Sequence, residues 1–164
     1  MTHTLLAIII FLFGMPFVAL PSLRMFNKNK EAQLRYVTRF YDLAPGLIAN
    51  EELPDDLVDS LEMLSRAIDD EKFVKISLRL WRRGEIGFRG DEKQIAYSNQ
   101  VKALPKELRD RFMEALSVGL LASTYTAILE GSLIRRFLFS PAGMPRRTED
   151  APAFAYDVLS HCSV

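Results

Sequence analysis

The chain has 164 residues, 49% apolar, 26% charged and 10% aromatic, a composition that excludes intrinsic disorder and fits one compact domain with appendages. Its 21 basic and 21 acidic residues cancel to a formal net charge of zero, which argues against a nucleic-acid binder working through a global positive field. A single cysteine, Cys162, excludes an intramolecular disulfide, and only two histidines, His3 and His161, leave little material for metal or acid–base chemistry.

The chain opens on an uncharged run, TLLAIIIFLFGMPFVAL at residues 4–20, which Pro21, Ser22 and Leu23 extend to Arg24. As a helix this run rises about 26 Å, at the short end of what crosses a hydrocarbon core. Pro16 is tolerated in such a helix when neighbours satisfy the freed carbonyl. A cleaved signal is disfavoured: MTHT holds no Lys or Arg, and Leu20 and Pro21 stand where a cleavage site needs small residues. Residues 1–24 are therefore read as a transmembrane anchor. Arg24, Lys28, Lys30, Arg35 and Arg39 follow the run and no cation precedes it. The positive-inside rule then puts the N-terminus across the membrane and the bulk of the chain on the cytoplasmic or equivalent side.

In residues 31–43 a helical stripe is expected from Leu34, Val37, Phe40 and Tyr41. Tyr36, Phe40 and Tyr41 suit either a headgroup interface or a protein core. APGLIANEELP at 44–54 reads as a connector, with turn chemistry at Pro45-Gly46 and Asn50. Pro54, Asp55 and Asp56 have the chemistry of a helix start. Leu57, Val58, Leu61, Leu64, Ala67 and Ile68 then mark one apolar face through residue 69.

From Asn50 to Glu71 there are nine carboxylates and one arginine, whereas Lys72 to Arg111 holds eleven cations and five carboxylates. Such segregation ordinarily means solvated faces. Within it, EKFVKISLRLWRRG at 71–84 alternates like a strand between Val74 and Leu80. On a helical wheel, however, Lys72, Lys75, Arg79, Arg82 and Arg83 share one arc of about 100°. The helix accounts for consecutive Arg82-Arg83, which alternation does not, and Asp69, Asp70 and Glu71 supply its acidic start. Trp81 stands at the boundary of the two faces. The stripe is a solvated surface, a contact for anionic lipid, or a dock for an acidic protein face.

GEIGFRGDEKQ at 84–94 is a glycine-rich loop lacking the context of a phosphate cradle. A short helix is expected within 91–103, and one long helix from Pro105 to Phe139. Along the latter Ala115, Gly119, Ser123, Ala127 and Gly131 recur every fourth residue. Such a small-residue ladder lets another helix approach closely, in a membrane or in a buried bundle. A second span over 115–134 is the weaker alternative. Its uncharged run stops at Glu130, short of the ~20 residues usually needed. Three prolines and one glycine in SPAGMPRRTEDAPA make 140–164 an extended tail, in which FAYDVL at 154–159 either docks as an apolar plug or frays.

No catalytic motif is present: no Gly-x-Ser-x-Gly, Cys-x-x-Cys, His-x-x-x-His or Glu-x-x-His. His161-Cys162 is too few ligands for a metal site. Glu130 interrupts an apolar stretch, so it is either a helix-end charge or a buried acid that needs Arg135 or Arg136 as partner.

The expectation is an all-α chain: one N-terminal transmembrane helix, a four- to five-helix domain over 25–139, and a tail. No cofactor is implied. The functional reading is a non-catalytic, membrane-anchored accessory subunit or assembly factor whose partners are other membrane-protein subunits and lipid, not nucleic acid. The alternatives are a small enzyme or a lipid or quinone binder using the bundle interior and Glu130, and a lipid-surface regulator acting through the basic stripe.

Overall fold

A computed structural model describes the backbone of residues 2–83, 91–138 and 156–160, and the side chains of 22–80, 82–83, 91–136 and 156–160. The chain is all-α. Among the described residues six helices follow one another: α1 Thr2–Ile48, α2 Asp55–Ala67, α3 Glu71–Arg82, α4 Glu92–Ala103, α5 Lys106–Thr124 and α6 Ile128–Leu138. No strand occurs among the described residues.

Helix α1 is continuous over 47 residues, about 70 Å at 1.5 Å per residue. No break marks the expected boundary at Arg24. The expected connector at Pro45-Gly46 is likewise helical, because Leu43, Ala44 and Leu47 around it are buried and their burial outweighs the one ladder bond that Pro45 cannot donate. Asn50 makes the turn instead. Its N–H bonds the Leu47 carbonyl at 3.1 Å, and its side chain accepts from the Glu52 N–H at 2.9 Å.

The inner face of α1 is rotated from the expected stripe. Gln33, Phe40, Leu43, Ala44 and Leu47 are buried, whereas Leu34 is 68% and Tyr41 48% exposed. A stripe read over one short window had two registers to choose from, and Leu43, Ala44 and Leu47, assigned to the connector, were needed to choose between them.

Helix α2 begins after Pro54 with Asp55 and Asp56 in its first turn. It buries Leu57, Leu61, Leu64 and Ile68 completely. The stretch that alternates like a strand is α3: the Asp70 carboxylate accepts from the Lys72 N–H at 2.8 Å, and Phe73, Val74, Ser77 and Leu78 turn inward. Asp91 caps α4 by accepting from the Gln94 N–H at 2.7 Å.

The long helix expected from Pro105 is two helices, parted at Tyr125–Ala127. The cause is a cluster of hydroxyls. Ser123 Oγ donates back to the Leu120 carbonyl at 2.8 Å, Thr124 Oγ1 to Leu121 at 2.7 Å, and Thr126 Oγ1 to Ser123. Side chains that bond local carbonyls compete with the helical ladder, and three of them at one place end it.

Helix α5 is the central element, packed against α1, α2 and α3, with α6 folded against α3 and α5. It runs antiparallel to α1: Tyr36 meets Tyr125, while Arg39 meets Glu114. The tail is not wholly extended, since residues 156–160 form a helical turn that buries Val158 and Leu159 in the core. The remainder of 140–164 after Leu138 lies outside the described residues.

Candidate functional site

Three constellations singled out by the sequence fall at definite places in the bundle. On α3, Lys72, Lys75, Arg79 and Arg82 are exposed on one face, and Arg83 is exposed in the turn that follows. The side chain of Trp81 lies outside the described residues. Lys75 Nζ is 2.7 Å from Glu71 Oε1. That hydrogen bond holds the ammonium above the ordinary lysine value, with a further attraction from Glu130. A pair this exposed contributes little to stability, but it locates the first turn of α6 beside the basic face. On that helix, which packs against α3, Leu129 is 72% and Leu133 44% exposed.

The small-residue ladder is entirely buried, at Ala115, Gly119, Ser123, Ala127 and Gly131. It spans two helices and their junction. A Cβ on Gly119 would collide with Leu64 of α2 and with Phe40 Cδ2 of α1, the latter at 2.9 Å. Here three helices approach closely within the bundle. A Cβ on Gly131 would overlap the Thr124 carbonyl of α5. The stripe is thus occupied by this chain's own helices.

The second span weighed over 115–134 is divided by the Tyr125–Ala127 break. Among the described residues no helix is long and apolar enough to cross a membrane. The anchor reading of residues 4–20 concerns side chains outside the described residues.

Glu130 lies in the first turn of α6, where a carboxylate complements the helix dipole, and its charged neighbour is Lys75. Arg135, one of the two partners considered for a buried Glu130, turns elsewhere. Arg135 Nη1 donates to the Thr124 carbonyl at 2.5 Å, and its guanidinium carbon lies 3.8 Å from the centre of the Tyr125 ring. Tyr125 stacks on Tyr36 with centroids 5.6 Å apart. Burial lowers the Arg135 pKa, and the two tyrosines oppose that. This cluster ties α1, α5 and α6 together.

The cluster escaped sequence reading because Tyr36, Tyr125 and Arg135 are too far apart in the chain to suggest contact. The aromatic at the end of a hydroxyl-rich segment was the one local signal. The Arg39–Glu114 pair, 2.6 Å long between α1 and α5, was equally hidden.

No group of three metal-ligating side chains converges among the described residues, and His161-Cys162 lies outside them. Comparison with protein-family models, curated proteins and solved structures finds no match to this chain.

Proposed function

We propose that the chain is a membrane-anchored, non-catalytic accessory subunit or assembly factor of a larger membrane complex. The N-terminal half of α1 enters the bilayer, and the bundle on its C-terminal half presents surfaces to partners. One observation carries the reading. Among the described side chains of α1, from Ser22 on, the first to be buried is Gln33, while Leu23, Met25 and Phe26 are 58%, 52% and 43% exposed.

A bundle that used α1 only as a core helix would leave no reason for this bare apolar and basic shaft. Arg24, Lys28 and Lys30 on the shaft suit a headgroup layer. About 15 Å of helix separates Leu23 from Gln33, enough to hold the bundle clear of the hydrocarbon. Leu23, Leu34, Tyr41 and Ile48 are all at least 36% exposed, and they share an arc of about 40° on the wheel of α1. A partner helix laid along that arc would cover them.

The test has two readouts on the full chain. Alkaline extraction of native membranes should leave it in the pellet, and purification in mild detergent should retain partner subunits. Leu34→Glu with Tyr41→Glu should release the partners without altering the far-UV spectrum. Full release into the alkaline wash, or unchanged partner retention in the double variant, overturns the reading.

A lipid-surface role for α3 is a second reading, favoured by its exposed cations and by exposed Leu129 and Leu133 on α6, which packs against it. In nanodiscs, α3 and α6 should gain hydrogen-exchange protection when anionic lipid replaces neutral lipid, since each basic residue near such a surface contributes about 1 kcal/mol. Equal protection in both removes this reading.

A further inference from the structure

Three contacts fix the direction of α5 against α1. Tyr125 stacks on Tyr36, Glu114 pairs with Arg39, and Arg111 Nη2 lies 3.8 Å from where a Cβ on Gly46 would stand. Moving along α1 from Gly46 back to Tyr36 thus runs from the first half of α5 to its end. The C-terminal end of α5 points toward Leu23, Met25 and Phe26, the bare part of α1. Because α1 is unbroken, the bundle keeps this orientation relative to the shaft.

Helix α6 sits on that end. The Thr124 carbonyl belongs to the last residue of α5, and carbonyls in a last turn point along the axis out of the C-terminus. Gly131 lies so close to this oxygen that a Cβ would overlap it, and Arg135 Nη1 donates to the same oxygen at 2.5 Å. Gly131 therefore marks the face of α6 turned toward α5, and the opposite face looks down the shaft. On the wheel of α6, Leu129 and Leu133 each stand about 160° from Gly131, and Arg136 about 140°. All three are exposed. We infer that this face of α6 rests on the bilayer, with Leu129 and Leu133 set into the phospholipid headgroup layer, a contact that depends on the proposed anchor at the start of α1.

The distances agree. From Leu23 to Tyr36 is about 20 Å of helix, and the thickness of α6 takes up about 10 Å of it. The headgroup layer is about 5–8 Å deep, and a tilt of α1 toward α6 by about 20°, the average for membrane helices, lowers α6 further. A gap this narrow has no room for a folded partner domain, which favours lipid as the occupant. The exposed charges beside it are mostly basic: Arg24, Lys28, Lys30 and Arg35 on the shaft against Glu31. Cations so placed attract anionic headgroups.

Depth-dependent fluorescence quenching tests the contact on the full chain in nanodiscs of phosphatidylcholine and phosphatidylserine. In a Cys162→Ser background, a bimane label is attached at Ser132→Cys, at Leu23→Cys or at Glu107→Cys. Ser132 lies between the two leucines and is exposed, and Glu107 is exposed in the first turn of α5, at the far end of the bundle. Lipids carrying a nitroxide at the headgroup should quench the labels at Leu23 and Ser132 and spare the label at Glu107. Leu129→Asn with Leu133→Asn should reduce the quenching at Ser132 and leave that at Leu23 unchanged. A far-UV spectrum matching the parent shows that each variant is folded. Quenching at Leu23 with none at Ser132 beyond that at Glu107 overturns the α6 contact and leaves the anchor standing. Undiminished quenching at Ser132 in the double asparagine variant overturns the role of the leucines. Absence of quenching at Leu23 by headgroup and acyl-chain nitroxides alike overturns both the anchor and the contact.

Discussion

Replacing Gly119 by alanine puts one methyl group into a close contact of three helices, α1, α2 and α5. In an open helix this change stabilises by about 1 kcal/mol, because alanine has the higher helix propensity. At Gly119 the new carbon lands on Leu64, with Cγ at 2.8 Å, and on Phe40 Cδ2 at 2.9 Å. Both side chains are 0% exposed, so neither can swing into solvent. Overpacking of this kind costs about 1–3 kcal/mol, and with two buried partners the upper half of that range applies. The expected net effect is a loss of about 1–2 kcal/mol. For a chain of this length that lowers the melting temperature by roughly 2–4 °C per kcal/mol. Gly46→Ala is the internal control, since its Cβ would meet only Arg111 Nη2, at 3.8 Å; it should stabilise by up to about 1 kcal/mol. Urea unfolding of the full chain in detergent, followed by far-UV circular dichroism, measures both. Leu64→Ala alone should cost about 2–5 kcal/mol, and in that background Gly119→Ala should become less harmful, a coupling that only neighbouring residues show. If Gly119→Ala raises the urea midpoint as much as Gly46→Ala does, the packing of α5 on α1 and α2 is wrong.

Gly131→Ala should be worse than Gly119→Ala, costing more than about 3 kcal/mol, because the obstacle is the Thr124 carbonyl and a backbone group cannot rotate aside; an equal or smaller loss in the same urea titration would count against the α5–α6 junction. Arg135→Gln should cost about 1–3 kcal/mol through loss of a charged hydrogen bond and a cation–π contact, and a change in near-ultraviolet tyrosine dichroism should accompany it; an unaltered tyrosine signal would argue that the guanidinium does not sit on Tyr125. The phenol of Tyr97 is raised by burial, so the folded state holds its proton while an unfolded tyrosine loses it near pH 10. Its stabilising contribution is complete below about pH 10 and falls by about 1.4 kcal/mol per pH unit as the pH climbs toward the folded value. Tyr97→Phe should therefore flatten the alkaline decline of stability relative to wild type, and parallel curves between about pH 10 and 12 would show that the hydroxyl is solvated.

The helical character of this chain was legible residue by residue. Pro54-Asp55-Asp56 starts α2, Asp70 and Glu71 start α3, and the arc shared by Lys72, Lys75, Arg79 and Arg82 identifies α3 as a helix despite its alternation. These signals are local, because capping and amphipathic periodicity act within one or two turns. The uncharged run at residues 4–20 and the cations after it were equally plain. What escaped was decided by groups distant in the chain. Pro45 stays helical because Leu43, Ala44 and Leu47 are buried against other elements. The break after Thr124 is held by hydroxyls whose preference becomes decisive once Arg135, eleven residues away, caps the freed carbonyl. The rotation of α1 that buries Gln33 and bares Leu34 was set by where α5 lies. Tyr97 is buried because α4 and the turn at 156–160 bring its ring against Tyr156. Local propensity determined which segments coil. Which faces they hide is a property of packing, because burial and desolvation depend on neighbours that proximity in sequence does not specify.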